Sequence, residues 1–204
     1  MITRHLEPFI RRDAGYYPVV TLTGPRQSGK TTLARKVFPD HHYCSLEDIE
    51  TRQFAQEDPR GFLRQHSDAV ILDEVQRCPD LVSYIQTDVD RDASPGRFIL
   101  TGSQNFLLME RISQSLAGRS AILHLLPLSR SELEGQSPRP TTMPQELFQN
   151  QSTRLDCWEI IRSGLYPRIH DREIPSGIWL SDYIRTYVER DLRSLLNVGD
   201  LETF

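Results

Sequence analysis

Three features of the sequence predict an α/β fold built on a parallel sheet. Five short apolar strands alternate with amphipathic helices, the first strand runs into a glycine-punctuated loop, and a later strand ends in two adjacent carboxylates. Strands that alternate with helices pair in parallel, because each crossover helix returns the chain to the same end of the sheet.

The elements follow in order. Ile2, Leu6, Phe9 and Ile10 recur at helical spacing, which predicts an amphipathic helix over residues 2–12. Val19 to Thr23 (VVTLT) reads as a short buried strand, and Thr31 to Phe38 as a helix ended by Pro39. Tyr43 to Leu46 makes a second strand, and Pro59 divides the polar stretch 47–66 into two helices. Ala69 to Leu72 (AVIL) is a third strand. Pro79 opens a helix carrying Leu81, Val82, Ile85 and Val89. Arg97 to Thr101 (RFILT) is a fourth strand, and residues 106–116 form a helix closed by Gly118. Ala121 to Leu126 (AILHLL) is the fifth strand. The segment GQSPRPTTMPQE, within 135–150, is rich in Pro, Ser and Thr and reads as a linker. Helical segments follow near 152–163 and 176–196. The expected organisation is a nucleotide-binding domain at 1–134, a linker at 135–150 and a helical lid at 151–204, where a further domain begins.

Composition narrows the classes. The chain has 204 residues, with 24 Lys and Arg against 28 Asp and Glu, a formal net charge of -4. That balance argues against bulk attraction to nucleic acid, without excluding a local basic patch. Cys44, Cys78 and Cys157 are too few and too scattered for a disulfide framework or a metal site. No run approaches the ~20 apolar residues of a membrane helix, and the amino-terminal segment has no signal-peptide core. The expectation is a soluble, cytoplasmic protein without a membrane partner.

The loop after the first strand carries the chemistry. Gly24-Pro25-Arg26-Gln27-Ser28-Gly29-Lys30-Thr31 fits G-x-x-x-x-G-K-[ST] in full, with Thr32 next in line. Such a loop curls around a phosphate and turns successive backbone N–H groups inward, which favours glycine at Gly24 and Gly29. Lys30 is placed to reach the β- and γ-phosphates of ATP, and the Thr31 hydroxyl to ligate Mg²⁺. The helix that follows adds its positive end. The strand Ala69–Leu72 delivers Asp73 and Glu74 to the carboxyl ends of the strands, where ligands bind in open α/β sheets. Asp73 is the candidate to hold Mg²⁺ and Glu74 the candidate to activate water.

These residues resemble the AAA+ ATPases of the P-loop NTPase superfamily, and among them prokaryotic ATPases that carry a C-terminal domain of unknown function. The resemblance rests on GPRQSGKTT at 24–32, VILDEVQ at 70–76, FILTGSQ at 98–104, SLAGR at 115–119 and LLPLSRSEL at 125–133. GLYPR at 164–168 and YVERDL at 187–192 extend it nearly end to end. It implies a five-stranded parallel sheet in the order 5-1-4-3-2, flanked by helices and followed by a small helical segment. It also implies a sensor at the tip of the Arg97–Thr101 strand, for which Ser103 and Gln104 are the candidates; a turn that satisfies its own backbone is the alternative. Arg119 stands where such proteins place an arginine that reaches the nucleotide of a neighbouring subunit. The other reading is a cation at a helix C-terminus. Relatives of this kind are longer than this chain.

The resulting expectation is Mg²⁺-dependent ATP hydrolysis coupled to a conformational change, with ATP as ligand, a homo-oligomer as the implied assembly, and a protein or nucleic acid as client. The alternatives are a nucleotide-gated binding module with little turnover, acting with DNA, and a P-loop kinase, which would need an acceptor pocket. Trp158, Trp179, Tyr183 and Tyr187 are read as packing residues rather than base-stacking ones.

Overall fold

A computed structural model describes residues 2–103, 111–112, 114–137, 156–172 and 174–188. The chain divides into two compact units, one spanning Thr3–Pro127 and the other Met1–Ile2 with Leu128–Phe204.

The larger unit is a five-stranded sheet in which every pairing is parallel. Its strands are β1 (Val19–Thr23), β2 (His42–Ser45), β3 (Val70–Asp73), β4 (Phe98–Thr101) and β5 (Ser120–His124). They lie in the order β2-β3-β4-β1-β5, the order that the sequence resemblance implies. β4 therefore separates β3 from β1, with Val70 opposite Phe98 and Val19 opposite Phe98 on its other side. Strands β1, β3 and β4 are buried along their whole length, in keeping with their largely apolar sequences.

The helices of this unit are α1 (Glu7–Ala14), α2 (Lys30–Val37), α3 (Ile49–Glu57), α4 (Pro59–Gln65) and α5 (Leu81–Val89). Two apolar clusters hold them. One joins α5 and the α3–α4 pair through Leu81, Val82, Ile85, Ala55 and Phe62 to Val70, Leu72, Phe98 and Leu100. The other joins α1 and α2 through Ile10, Leu33 and Val37 to Val20, Leu22, Ile71 and Ile99. Alternate residues of one strand thus serve opposite faces: Ile71 packs with α2, and Val70 and Leu72 pack with α5.

The first helix departs from expectation. It begins at Glu7 rather than residue 2, with Pro8 in its first turn. Proline lacks an N–H and is accommodated where that donor has no helical partner, so the helix starts beside it. Residues 2–4 have no regular structure instead, and Arg4 serves another task. The expected helix at 106–116 lies largely outside the described residues; 111–112 and 114–115 are helical. Cys44 and Cys78 are free and buried. Burial pushes the Cys44 thiol up to about 11, and no helix among the described residues is long and apolar enough to cross a membrane.

The smaller unit starts with a short helix, Arg130–Leu133, whose Ser129 and Glu132 form a reciprocal capping box. Helices at Cys157–Ser163, Pro167–Arg172 and Ser176–Tyr183 follow, the last continuing as a π turn over Ile184–Val188. Trp179 and Tyr183 stack at 4.9 Å and pack on Tyr166 and Ile169, so these rings serve a local core. Trp158 is exposed. The linker from 138 on and the charged segment from 189 lie outside the described residues.

Candidate nucleotide site

Parallel pairing puts the carboxyl ends of β1, β3 and β4 on one side of the sheet, and the loop from Gly24 to Gly29 rises from the first of them. Two positions in that loop need glycine. Gly29 has φ 93°, left-handed, immediately before α2. Gly24 has φ 143°, and a Cβ there would stand 2.2 Å from the Leu125 carbonyl oxygen. Gln27 also takes a left-handed φ of 60°, which bends the loop further.

Lys30 opens α2 and is only 6% exposed. Its ammonium donates to the carbonyls of Gly24 at 3.0 Å and Pro25 at 2.8 Å, so it lies folded inside its own loop. Burial holds it below the ordinary lysine value, an effect that the Glu74 and Asp73 carboxylates oppose and the Arg26 charge reinforces. A buried cation with neutral carbonyl partners suits an anionic ligand. Ser28 is fully buried, and its hydroxyl has no hydrogen-bond partner among the described residues. Thr32 is exposed on the first turn of α2.

The sequence missed an anchor behind this loop. Arg4 is buried, and its guanidinium donates to the Ser28 carbonyl at 2.7 Å and to those of Leu126 at 2.6 Å and Pro127 at 3.2 Å. One side chain therefore ties the phosphate loop to the segment that leaves β5.

Asp73 is the hub of the crevice. The Thr31 hydroxyl donates to its two carboxylate oxygens at 2.9 and 3.1 Å, across the width of β4. The Tyr43 hydroxyl, from β2, donates to Oδ2 at 2.8 Å. Thr101, at the end of β4, donates to Oδ1. Burial first, and then the Asp73 carboxylate, push the Tyr43 phenol up to about 12. A hydroxyl and a carboxylate in contact are hard oxygen donors of the kind that Mg²⁺ takes. The residues present fit that ion. Tyr43 and Thr101 carried no signal beyond their places in strands. Thr101, a polar residue closing an apolar strand on the ligand side of the sheet, is the one that topology could have marked.

Glu74 follows at once, in the left-handed conformation with φ 59° and ψ 44°. For a glutamate this is strained backbone, and the tight turn Val75–Arg77 holds it. Its N–H donates to Thr101 Oγ1 at 3.4 Å, and its carboxylate accepts from Gln76. Ser103 is buried two residues past β4 and accepts from Gln76 at 3.0 Å. Gln104 lies outside the described residues. The structure thus gathers Lys30, Thr31, Asp73, Glu74 and Ser103 at one end of the sheet.

Arg119 is not among them. Its carbonyl accepts from the Val19 N–H at 3.3 Å, which puts it at the amino ends of β1 and β5. A five-residue strand at ~3.3 Å per residue sets it on the order of 15 Å below the phosphate loop of its own chain. There its guanidinium grips Asp90, with one contact of 3.0 Å, and remains partly exposed.

Comparison with known proteins adds three findings. Residues 16–134 match the family described as AAA domain. The chain is 36% identical over 190 residues to the uncharacterized proteins Rv2008c of Mycobacterium tuberculosis and Mb2031c of Mycobacterium bovis, covering 91% of this chain and 38% of each relative. It therefore spans well under half the length of those curated relatives. In fold it is similar to the Walker-type ATPase PABY2304 of Pyrococcus abyssi, with a TM-score of 0.56 at 14% identity, over 96% of this chain and 75% of that one.

Proposed function

The chain belongs to the AAA domain family, and from that premise we propose that it binds ATP with Mg²⁺ and hydrolyses it, using the energy to drive a conformational change in a client. The observation that carries this reading is the contact of Thr31 with Asp73, which joins the start of α2 to the end of a strand two places away. The pair sets a hydroxyl and a carboxylate side by side, the hard oxygen donors that a divalent cation takes.

The backbone N–H groups of the loop and of the first turn of α2 receive the phosphates. Lys30 exchanges the carbonyls of Gly24 and Pro25 for phosphoryl oxygens, which relieves the burial of its charge. Thr31 and Asp73 would hold the metal, with Tyr43 and Thr101 fixing the Asp73 carboxylate from two sides. Mg²⁺ bound there would neutralise charge on the transferring phosphoryl group. Glu74, presented by its left-handed turn, takes the proton of the attacking water. Ser103 serves as sensor of the γ-phosphate from the tip of β4. Arg119, remote from its own loop, acts on the site of a neighbouring copy.

Phosphate release by the full-length protein, measured with Mg·ATP and no acceptor, tests the reaction. Glu74→Gln keeps size and hydrogen bonding but removes the base. It should bind ATP as the wild type does and release phosphate roughly 10²-fold more slowly or worse. Wild-type turnover by this variant would sink the mechanism.

A further inference from the structure

The Glu74 carboxylate is held by a residue two positions along. The tight turn Val75–Arg77, closed by Arg77 N–H to the Glu74 carbonyl at 2.9 Å, brings the Gln76 side chain back over Glu74. The Gln76 amide nitrogen donates to Glu74 Oε2 and also to Ser103 Oγ at 3.0 Å. Chemistry fixes the amide this way round, since the carboxylate only accepts. The Gln76 oxygen then points inward. It is buried and has no hydrogen-bond partner among the described residues.

We propose that Gln76 is a positioning residue that aims the Glu74 carboxylate and couples it to Ser103 at the tip of β4. The inference rests on Glu74 acting as the base in the hydrolysis described above. A glutamate side chain samples many rotamers when free, and a base must lie within hydrogen-bond reach of its water. One N–H from Gln76 secures Oε2 and leaves Oε1 for the water proton. Ser103 accepts from the same amide, so its own hydrogen is directed elsewhere, toward an acceptor such as a phosphoryl oxygen. A phosphoryl group that draws the Ser103 hydroxyl also moves the amide bonded to it, and the amide moves Glu74. The base would then be set by the arrival of the γ-phosphate. Gln76 itself touches neither the nucleotide nor the water in this scheme.

The test is a double-mutant cycle in the full-length protein, with kcat and KM for Mg·ATP as readouts. ATP affinity by calorimetry and thermal melts confirm folding. Gln76→Met keeps length and removes the donor. It should lower kcat by about 10- to 100-fold, the scale of a misplaced catalytic group, with KM and ATP affinity changed less than about threefold. Added to Glu74→Gln, it should cost nothing further, because a residue that acts through Glu74 has no effect once the base is gone. Wild-type kcat in Gln76→Met, alongside a slow Glu74→Gln, overturns the coupling and leaves the hydrolysis reading intact. So does a double mutant slower than Glu74→Gln by the full factor of Gln76→Met, which gives Gln76 a route of its own. Wild-type turnover by Glu74→Gln overturns the base assignment and this inference with it. Should Gln76→Met fail to fold, Gln76→Leu replaces it in every arm, since it too is apolar and has no donor.

Discussion

Asp73 accepts from three hydroxyls on three elements: Thr31, Tyr43 and Thr101. Each removes one degree of freedom from the carboxylate, so its oxygens face the crevice before any ligand arrives. Tyr43 reports on this arrangement by titration. Its phenol is pushed from the ordinary 10.0 up to about 12, so the folded chain holds that proton more tightly than the unfolded chain does. The contribution is fully present below pH 10 and is lost as pH rises from about 10 through 12. Tyr43→Phe removes it. In melts between about pH 9 and pH 11, the variant should lose less stability than the wild type as pH rises. Parallel losses would show that the Tyr43 proton is not linked to folding.

Arg4 shows what an element can do without regular structure. The irregular segment before α1 places a guanidinium under the loop, where it meets the carbonyls of Ser28, Leu126 and Pro127. Arg4→Met keeps the length and leaves these carbonyls without that donor. At ~1.5–3 kcal/mol for a hydrogen bond to a charged group, with mutual compensation by water, the loss should be about 3 kcal/mol in urea unfolding. ATP affinity should weaken by about tenfold as the loop loosens. An unchanged midpoint would refute the anchor. This residue also marks a limit of sequence reading. The strands were legible because buried parallel strands are short apolar runs, and β1 was bounded to the residue. The loop was legible because glycine has few substitutes at φ 143° and 93°. Arg4 was assigned to a helix, since its partners lie 24 and 122 residues away and no local period encodes them. Gln76 was passed over for a different reason. A glutamate at φ 59° runs against residue preference, so the turn that folds Gln76 onto Glu74 leaves no compositional trace.

At the scale of the whole molecule, Arg119 lies far from its own loop, and its proposed action on the site of a neighbouring copy is open to a direct test. Arg119→Ala should bind ATP and hydrolyse it slowly, and Lys30→Ala should not bind ATP yet still offers Arg119. Mixed in the full-length protein, the two should regain part of the wild-type phosphate release, and an arginine worth ~10³ or more in rate makes that easy to read. A mixture as inactive as its parts, with co-assembly shown by light scattering, would assign Arg119 to its contact with Asp90 alone. The site nevertheless depends on the least conspicuous part of each chain. A fragment beginning at Tyr16 would retain all five strands, the whole phosphate loop and both carboxylates, and would discard Arg4, Ile10 and Ala14. It would uncover Val20, Leu22 and Val37, which those apolar residues cover, and would release the loop from beneath. The shortest stretch that looks like a nucleotide-binding domain is therefore shorter than the shortest stretch that can keep its shape, and excision by motif would yield an aggregating fragment rather than a minimal enzyme.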